Sequence, residues 1–438
     1  MVGNGGFWCP VRHRLDNQVL QLTAAESTPI IEHGKKLRIR LVPFFATSHI
    51  GPHADLAVRL AAVRPDTVEP TIAVTPADVS VARSALDRHG PAASAAIRVA
   101  TYPFPDVDGL PPGVENLSAA AADDAWRIDA AAMEEALIRE RSPDAVVTDI
   151  HFFWISIIAD ELGVPCITFS VMPPFSTLAM RNIAGAVDGL SDQQEVVVPG
   201  FPGPEIRIPR TELPEFLRRQ EKTRPIQPGL GGQARCFGLA VNTFLDMQHQ
   251  YCELYVRPGY VKRAYFVGPL SLPLPLARAS AGPRGGRGWE ERVGKRGMLV
   301  RGWALQTAIL AHPAVGAFLT HCGSSSLLEA AAAGVPMLTW PLVFDQFIEE
   351  RLVTDVLNIG ERVWDGPRST KYEEQQTVPA AAVARAVARF LEPGGTGEEA
   401  RGRAQELAVK AHAAVAEGGS SYNDLHRLSS DLMETRKI

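Results

Sequence analysis

Cysteine is scarce in this sequence of 438 residues, and no part of it reads as a cysteine framework. The five cysteines are scattered, namely Cys9, Cys166, Cys236, Cys252 and Cys322. Their odd number and the lack of CxxC or Cys/His spacings exclude a disulfide scaffold and a zinc site. We therefore expect a reducing, cytoplasmic setting.

Long apolar runs and strong charge of one sign are also missing. No run of about 18 apolar residues occurs without a charged or polar break, so no transmembrane helix is predicted. The opening segment MVGNGGFWCPVRHRLDN lacks the apolar core of a secretory signal. A formal net charge of −5 gives no electrostatic reason to expect a nucleic-acid partner.

The chain instead has enough apolar residues, 46%, for two domains of roughly 200 residues each. In both halves, strand-like segments alternate with helical ones, which predicts parallel sheets covered by helices on both faces. In the first half, LRIRLVPFF is a predicted strand, and a helix is expected to start near His53. Strands of the second half are predicted at GMLVRGW, AVGAFLTHC, PMLTWPL and IGERVW. A helix–Gly–Val–Pro–strand junction occurs at 159–169 and again at 330–340, which indicates two doubly wound domains.

The segment CGSSS at residues 322–326 joins a predicted buried strand to a predicted helix. Backbone N–H groups at a helix start bind anions, and the serine hydroxyls add donors. His321 ends the strand and is expected to point to the same place. Taken alone, the three serines are more often an ordinary helix cap than an anion site. A serine-hydrolase elbow fits less well, because GSSSL lacks the second glycine of GxSxG.

Two further polar residues, His49 and Asp149, are predicted to follow strands of the first half. Parallel strand ends meet at one rim of a sheet, so the two side chains are expected to be neighbours. A His oriented by a carboxylate can take a proton from a hydroxyl group. His53 and His151 are close competitors for this role, and a His in a turn is often a surface residue.

Residues Trp303–Gln346, WALQTAILAHPAVGAFLTHCGSSSLLEAAAAGVPMLTWPLVFDQ, resemble without a gap the signature box of plant family 1 UDP-sugar glycosyltransferases. The resemblance implies an α/β fold of the GT-B type, with two facing Rossmann-like domains. It implies inverting transfer of a sugar from UDP-sugar to a small lipophilic acceptor such as a flavonoid, another phenolic or a terpenoid. Gln346 favours glucose as the sugar. No metal or other cofactor is expected, and the protein is expected to be a cytoplasmic monomer.

The same resemblance assigns roles to individual residues. His49 matches the general base, and Asp149 its orienting partner. The donor-binding residues are Trp303 stacking on uracil, Gln306 near the ribose, His321, Gly323, Ser324, Ser325 and Ser326 at the diphosphate, Glu329 on the ribose hydroxyls, and Asp345 and Gln346 on the sugar. Carboxylate and amide groups suit sugars, which present paired donors and acceptors.

The chain also departs from the family. Leu305 replaces a usual Pro, and Ser324-Ser325 stands where Trp-Asn is usual. Only 33 positions lead from Leu270 to Trp303, whereas the family places a strand, a helix and another strand there. Such a unit takes roughly 30 residues or more, and the Pro/Gly/Arg-rich residues 271–289 offer no apolar run to build it.

These observations predict five segments: a poorly ordered lead-in (1–36), an acceptor-binding domain (37–270), a linker or gap (271–289), an incomplete UDP-sugar-binding domain (290–421) and a helix packing back on the first domain (422–438). Two functions follow. The chain is a UDP-dependent glucosyltransferase, or it is a catalytically impaired relative that at most binds nucleotide or a protein partner.

Overall fold

The computed structural model describes residues 36–104, 114–116, 143–184, 186–187, 191, 194–218, 236–257, 260–272, 292–300 and 304–435. Trp303, the predicted lead-in up to residue 35 and all of the predicted linker except residues 271 and 272 lie outside these ranges.

Twelve strands are described, and their bounds follow in chain order. They are β1 Leu37–Val42, β2 Val68–Val74, β3 Arg98–Thr101, β4 Ala145–Asp149, β5 Cys166–Ser170, β6 Glu195–Val197, β7 Arg207–Pro209, β8 Gly238–Val241, β9 Ala264–Phe266, β10 Phe318–Thr320, β11 Met337–Thr339 and β12 Gly360–Arg362. Strands β6 and β7 form a separate antiparallel pair.

The α-helices lie between and after these strands. They are α1 Thr47–Val63, α2 Val79–Asp87, α3 Pro91–Ala95, α4 Phe153–Glu161, α5 Pro174–Ile183, α6 Glu215–Arg218, α7 His249–Tyr255, α8 Gln306–Leu310, α9 Ser324–Ala333, α10 Gln346–Arg351, α11 Ala380–Phe390, α12 Thr396–Val415 and α13 Ser420–Thr435. A π-helical turn, Leu352–Val356, continues α10. Within the described part of the chain, no helix has both the length and the apolar character needed to cross a bilayer.

The larger sheet contains seven strands in the order β3-β2-β1-β4-β5-β8-β9. All its strand pairs are parallel. Strands β4, β5 and β8 are buried along their whole length, as expected where helices cover both faces of a sheet. The chain adds β2 and β3 on one side of β1 and then returns to its other side with β4. The strand order therefore reverses between β1 and β4, the place where such sheets bind ligands.

The smaller sheet contains β10, β11 and β12, all parallel, with α9 linking the first two strands. The strand predicted at GMLVRGW is wrong for residues 297–300, which have no strand pairing and are exposed. Met298, for example, is 81% exposed. An apolar pattern gives a strand only where a neighbouring strand and a covering layer are present.

The last helix, α13, packs on the larger sheet beside β9. Phe266 N–H donates to Asp424 Oδ2 at 2.7 Å, and Tyr265 Oη donates to Asp431 Oδ2 at 2.6 Å. Three leucines of α13 join the apolar core of that sheet, namely Leu425, Leu428 and Leu432. The end of the chain is thus fastened to the domain in which the chain begins.

Buried ion pairs link the segment after β7 to the smaller sheet's domain. Glu212 binds both Arg351 and Arg368, and the second of these contacts measures 2.8 Å. Arg218 reaches Glu374 at 2.8 Å. Glu212, Arg218 and Arg351 are buried, so each of these charges depends on its partner, whereas Glu374 is partly exposed. The two domains therefore share one charged interface.

Candidate functional site

The first part of the site lies where β1 and β4 end. His49 Nδ1 is 2.8 Å from Oδ2 of Asp149, the last residue of β4. Asp149 is fully buried, and the His49 side chain is 13% exposed. Because the carboxylate accepts a hydrogen bond from Nδ1–H, Nε2 of His49 is the nitrogen able to accept a proton.

His49 belongs to the first turn of α1. The helix starts at Thr47, so the prediction of a start near His53 is wrong. Proline is disfavoured inside helices because it removes a backbone donor. Here Pro52 lies within the helix. The side chain of His53 bonds the carbonyl of His49 through Nδ1 at 2.9 Å, which helps to hold this turn.

The charge of Asp149 is maintained by its neighbours. Burial alone would raise the pKa of this carboxyl, but the charge of His49 and the hydrogen bonds from His151 and His49 hold it well below its usual range. His53 is fully buried, and burial lowers its pKa to about 4. A buried, neutral His53 is poorly placed to meet a substrate, which separates it from His49 as a candidate base.

His151, the other competitor, binds the second oxygen of the same carboxylate. Its Nδ1 lies 2.8 Å from Asp149 Oδ1, and its backbone N–H donates to that oxygen at 3.0 Å. Its ring stacks on Phe44 at 4.5 Å and meets the His49 ring edge-on at 5.0 Å. From the sequence alone, His151 is predicted only as a competitor of His49 for the role of base. The spacing Asp149-x-His151 was the signal for a shared contact.

The second part of the site is the start of α9, where β10 ends. Cys322 is fully buried with φ 65°, in the left-handed region, and turns the chain sharply into the helix. Gly323 precedes the first helical residue, Ser324. A Cβ on Gly323 would lie 2.5 Å from Nε2 of His321, so the imidazole lies over the glycine. His321, Gly323 and the serines therefore surround the helix N-terminus, which attracts anions.

Gln306 contacts both Ser326 and Glu329 next to this turn. Gln306 Nε2 donates to Glu329 Oε2 at 2.8 Å and to Ser326 Oγ at 3.1 Å. Burial raises the pKa of Glu329 to about 6. Three of the predicted donor-binding side chains thus form one hydrogen-bonded group, whereas Trp303 lies outside the described residues.

Asp345 and Gln346 follow β11 at the start of α10. Burial raises the pKa of Asp345, and the charges of His49 and His151 oppose this, so Asp345 lies within electrostatic range of the two imidazoles. Its Oδ2 has no hydrogen-bond partner among the described residues. Gln346 Oε1 accepts from the N–H groups of Leu342 and Val343, at 2.9 and 3.1 Å. The amide oxygen is therefore occupied within its own turn.

Sequence reasoning missed Glu349, one helical turn after Asp345. Glu349 is 1% exposed, and burial together with the charge of Asp345 raises its pKa well above the usual range. The i, i+4 spacing of the two carboxyls on α10 was the available signal. Asp345 and Glu349 therefore form a pair of interacting carboxyl groups, and Asp345 is the one that interacts with His49 and His151.

Comparison with known proteins gives this arrangement a family. Residues 290–359 match the family described as UDP-glucoronosyl and UDP-glucosyl transferase. UDP-glycosyltransferase 73E1 of Stevia rebaudiana is 30% identical, over 91% of this chain and 97% of that protein. Scopoletin glucosyltransferase of Nicotiana tabacum is 29% identical, over 91% of this chain and 98% of that protein. This chain belongs to the plant family 1 UDP-glycosyltransferases.

The solved structures agree with this membership. UGT73P12 of Glycyrrhiza uralensis, solved with glycyrrhetinic acid 3-O-monoglucuronide, is 27% identical with a TM-score of 0.78, over 92% of this chain and 96% of that one. The predicted GT-B fold with two Rossmann-like domains is confirmed, and this UDP-glycosyltransferase is a hexosyltransferase by family. The alignment with the Stevia protein spans 489 positions, more than the 438 residues of this chain. The relative therefore contains segments without a counterpart here, in agreement with the predicted shortening.

Proposed function

We propose that this glycosyltransferase moves glucose from UDP-glucose to a hydroxyl group of a small lipophilic acceptor, with inversion at the anomeric carbon. The observation that supports this proposal most strongly is the 2.8 Å contact between His49 and the buried Asp149. This contact lies where the strand order of the larger sheet reverses, between β1 and β4. A phenolic acceptor such as a flavonoid, or a terpenoid, is the class we favour. The name of the tobacco relative, scopoletin glucosyltransferase, supports glucose and a phenolic acceptor.

In the proposed reaction, Nε2 of His49 removes the proton from the acceptor hydroxyl as its oxygen attacks the anomeric carbon. The bond from that carbon to the UDP oxygen breaks, and its electron pair leaves with the diphosphate. Asp149 holds the imidazole through Nδ1 and stabilises the imidazolium that forms. Attack from the face opposite the leaving group converts the α-linked donor into a β-glucoside.

The donor is proposed to bind along α9 and the start of α10. The diphosphate meets His321, Gly323 and the N–H groups and hydroxyls of 324–326, where the helix N-terminus attracts anions. Glu329, held by Gln306, accepts from the ribose hydroxyls. Trp303 stacks on uracil. Asp345 offers Oδ2 to the sugar, while Gln346 meets it through its amide nitrogen, because its oxygen is already bonded.

The test is a screen of the purified chain with several UDP-sugars against flavonoid and terpenoid acceptors. We expect a β-glucoside formed from UDP-glucose, at a lower rate than a full-length relative gives. Product formed from a lipid-linked or non-nucleotide donor would contradict the proposal. A product formed at the same rate after His49→Ala would contradict the assigned base.

We propose that no metal ion takes part. His49, Asp149 and His151 could together hold a metal ion, since their ligand atoms lie within 4.8 Å of one another. Their hydrogen bonds, however, already give each group a role in holding a proton. Dialysis against EDTA should leave the transfer rate unchanged. A rate that is lost with EDTA and restored by one divalent cation would show that the cluster is a metal site.

A second candidate is a catalytically impaired relative that at most binds nucleotide or a protein partner. It is favoured by the smaller sheet, which has three strands among the described residues. Transfer requires the acceptor oxygen within about 3–3.5 Å of the anomeric carbon. A smaller sheet beneath the donor site should therefore harm the alignment of the sugar with the acceptor more than it harms the binding of UDP-glucose. UDP binding without turnover would support this candidate.

The proposal also includes a cytoplasmic monomer that needs neither nucleic acid nor a protein partner. Size-exclusion chromatography with light scattering should give the mass of one chain. A fluorescent fusion should distribute through the cytoplasm. A stable dimer would contradict the proposed monomer, and fluorescence confined to an organelle would contradict the proposed location. Neither result would bear on the proposed reaction.

A further inference from the structure

Asp149 holds two histidines, one on each carboxylate oxygen. Oδ2 lies 2.8 Å from His49 Nδ1. Oδ1 accepts from His151 twice, from Nδ1 at 2.8 Å and from the backbone N–H at 3.0 Å. The proposed reaction uses only the His49 side of this arrangement, so the His151 side has no function assigned to it.

The two bonds from His151 fix the plane of the Asp149 carboxylate. The last torsion of an Asp side chain is broad, so a carboxylate bonded on one oxygen alone can rotate. His151 is itself held by its stack on Phe44, with ring centroids 4.5 Å apart. Phe44 also meets the His49 ring at 5.4 Å. These contacts keep Oδ2 directed at His49.

His151 also shares the negative charge that His49 needs. The two imidazole rings are 5.0 Å apart, so a proton on His151 would repel the proton that His49 accepts. The two rings therefore compete for one carboxylate, and their protons are coupled. A neutral His151 that donates Nδ1–H to Oδ1 would leave His49 as the imidazole that takes up the proton.

Other groups face this pair from the elements packed around it. His53 on α1 lies 4.0 Å from Asp149 Oδ2. Asp345, before α10, interacts with both imidazoles, and Glu349 lies beside Asp345. None of these is changed in the test below, so a shift in pH dependence is assigned to His151 alone.

We propose that His151 is a positioning residue for transfer: it fixes the Asp149 carboxylate through Oδ1, leaves Oδ2 to His49, and sets the pH at which His49 can act as a base. This inference rests on the proposed function of the His49–Asp149 pair. It goes further because it gives the carboxylate a second histidine with a separate role.

The test compares His151→Phe, which keeps a ring to stack on Phe44, with His151→Asn, which keeps a side-chain donor. For His151→Phe we expect kcat to fall about tenfold, as for loss of one hydrogen bond to a charged group, with KM for UDP-glucose unchanged. The acidic midpoint of the kcat/KM profile should move to higher pH, because Asp149 then serves His49 alone. His151→Asn should recover part of both effects. His249→Phe, at an exposed surface position, is the matched control.

The same substitution in an Asp149→Asn background separates the explanations. If His151 acts through Asp149, His151→Phe should cause no further loss there. A further tenfold loss in that background would overturn the proposal, as would an unchanged kcat in the single variant. A fall in kcat with an unchanged pH midpoint, and with Asn no better than Phe, would show that His151 only fills space.

A titration followed by NMR of labelled histidines needs no turnover. We expect His49 and His151 to titrate as a coupled pair, and His49 to titrate in one step at higher pH after His151→Phe. An unchanged His49 titration would overturn the proposal. If no UDP-sugar supports transfer but the two histidines still titrate as a coupled pair, the proposed function is refuted and the inference about His151 is not.

Discussion

The two sheets of this glycosyltransferase differ at the strands that carry the site. In the larger sheet, β1 is paired on both sides, with β2 and β4, and Leu41 within it is fully buried. In the smaller sheet, β10 pairs only with β11 among the described residues, and its Leu319 is 47% exposed. The groups proposed for proton transfer thus follow strands of the seven-stranded sheet, whereas the groups proposed to bind the donor follow strands of a sheet with three described strands.

This difference indicates that the geometry for proton removal is more robust than the geometry for donor alignment. His49 and Asp149 are held by paired strands and buried contacts, so their geometry does not depend on the smaller sheet. The turn at Gly323, which is proposed to bind the diphosphate, instead follows β10, a strand that lies at the edge of its sheet among the described residues. A missing neighbour leaves backbone groups and apolar side chains without partners at such an edge. Donor alignment should therefore be the weaker of the two.

The largest effect on kcat is expected from a substitution in the domain of the larger sheet. His49→Ala removes the proposed base and should lower kcat by roughly 10²-fold or more. The dissociation constant for UDP-glucose, measured by calorimetry, should change little, because the donor groups belong to the other domain. A His49→Ala protein with near-normal turnover would remove His49 from the mechanism.

The contrast between the sheets can be measured as stability. Leu41→Ala should lower the free energy of unfolding by about 2–5 kcal/mol, because it opens a cavity in a packed core. Leu319→Ala, the same substitution on β10, should change it by only about 0.5 kcal/mol or less. Denaturant unfolding of both variants checks this. Equal losses would mean that β10 is covered as fully as β1.

A smaller effect is expected in the pH dependence of donor binding. Burial raises the pKa of Glu329 to about 6, so this carboxylate, which is proposed to bind the ribose, is ionised above that pH and becomes protonated below it. Between pH 7 and pH 5 the dissociation constant for UDP-glucose should rise by about tenfold. Glu329→Gln should bind more weakly at pH 7 and lose this dependence. A wild-type affinity that is constant over this range would exclude an ionised Glu329 from donor binding.

Much of the fold follows from patterns that act locally. Strand and helix alternation predicts the parallel sheets, and the strand ends predict that His49 and Asp149 are neighbours. The start of α1 was misplaced because Pro52 is tolerated inside a helix whose turn is also held by a side-chain bond from His53. The strand predicted at 297–300 failed because pairing depends on a partner that no local pattern reveals. The double role of Asp149 depends on the ring stack of His151 on Phe44, a contact between separate strand ends.

The most direct test replaces residues 273–291 with the strand–helix–strand segment that relatives are expected to have there and that this chain is predicted to lack. The resulting protein is compared with the natural chain. Single-turnover transfer from UDP-glucose and the dissociation constant for UDP-glucose are measured for both. We predict that the inserted segment raises the transfer rate far more than it changes the affinity. Equal transfer rates in two folded proteins would contradict the account, because the reduced sheet would then be sufficient for donor alignment.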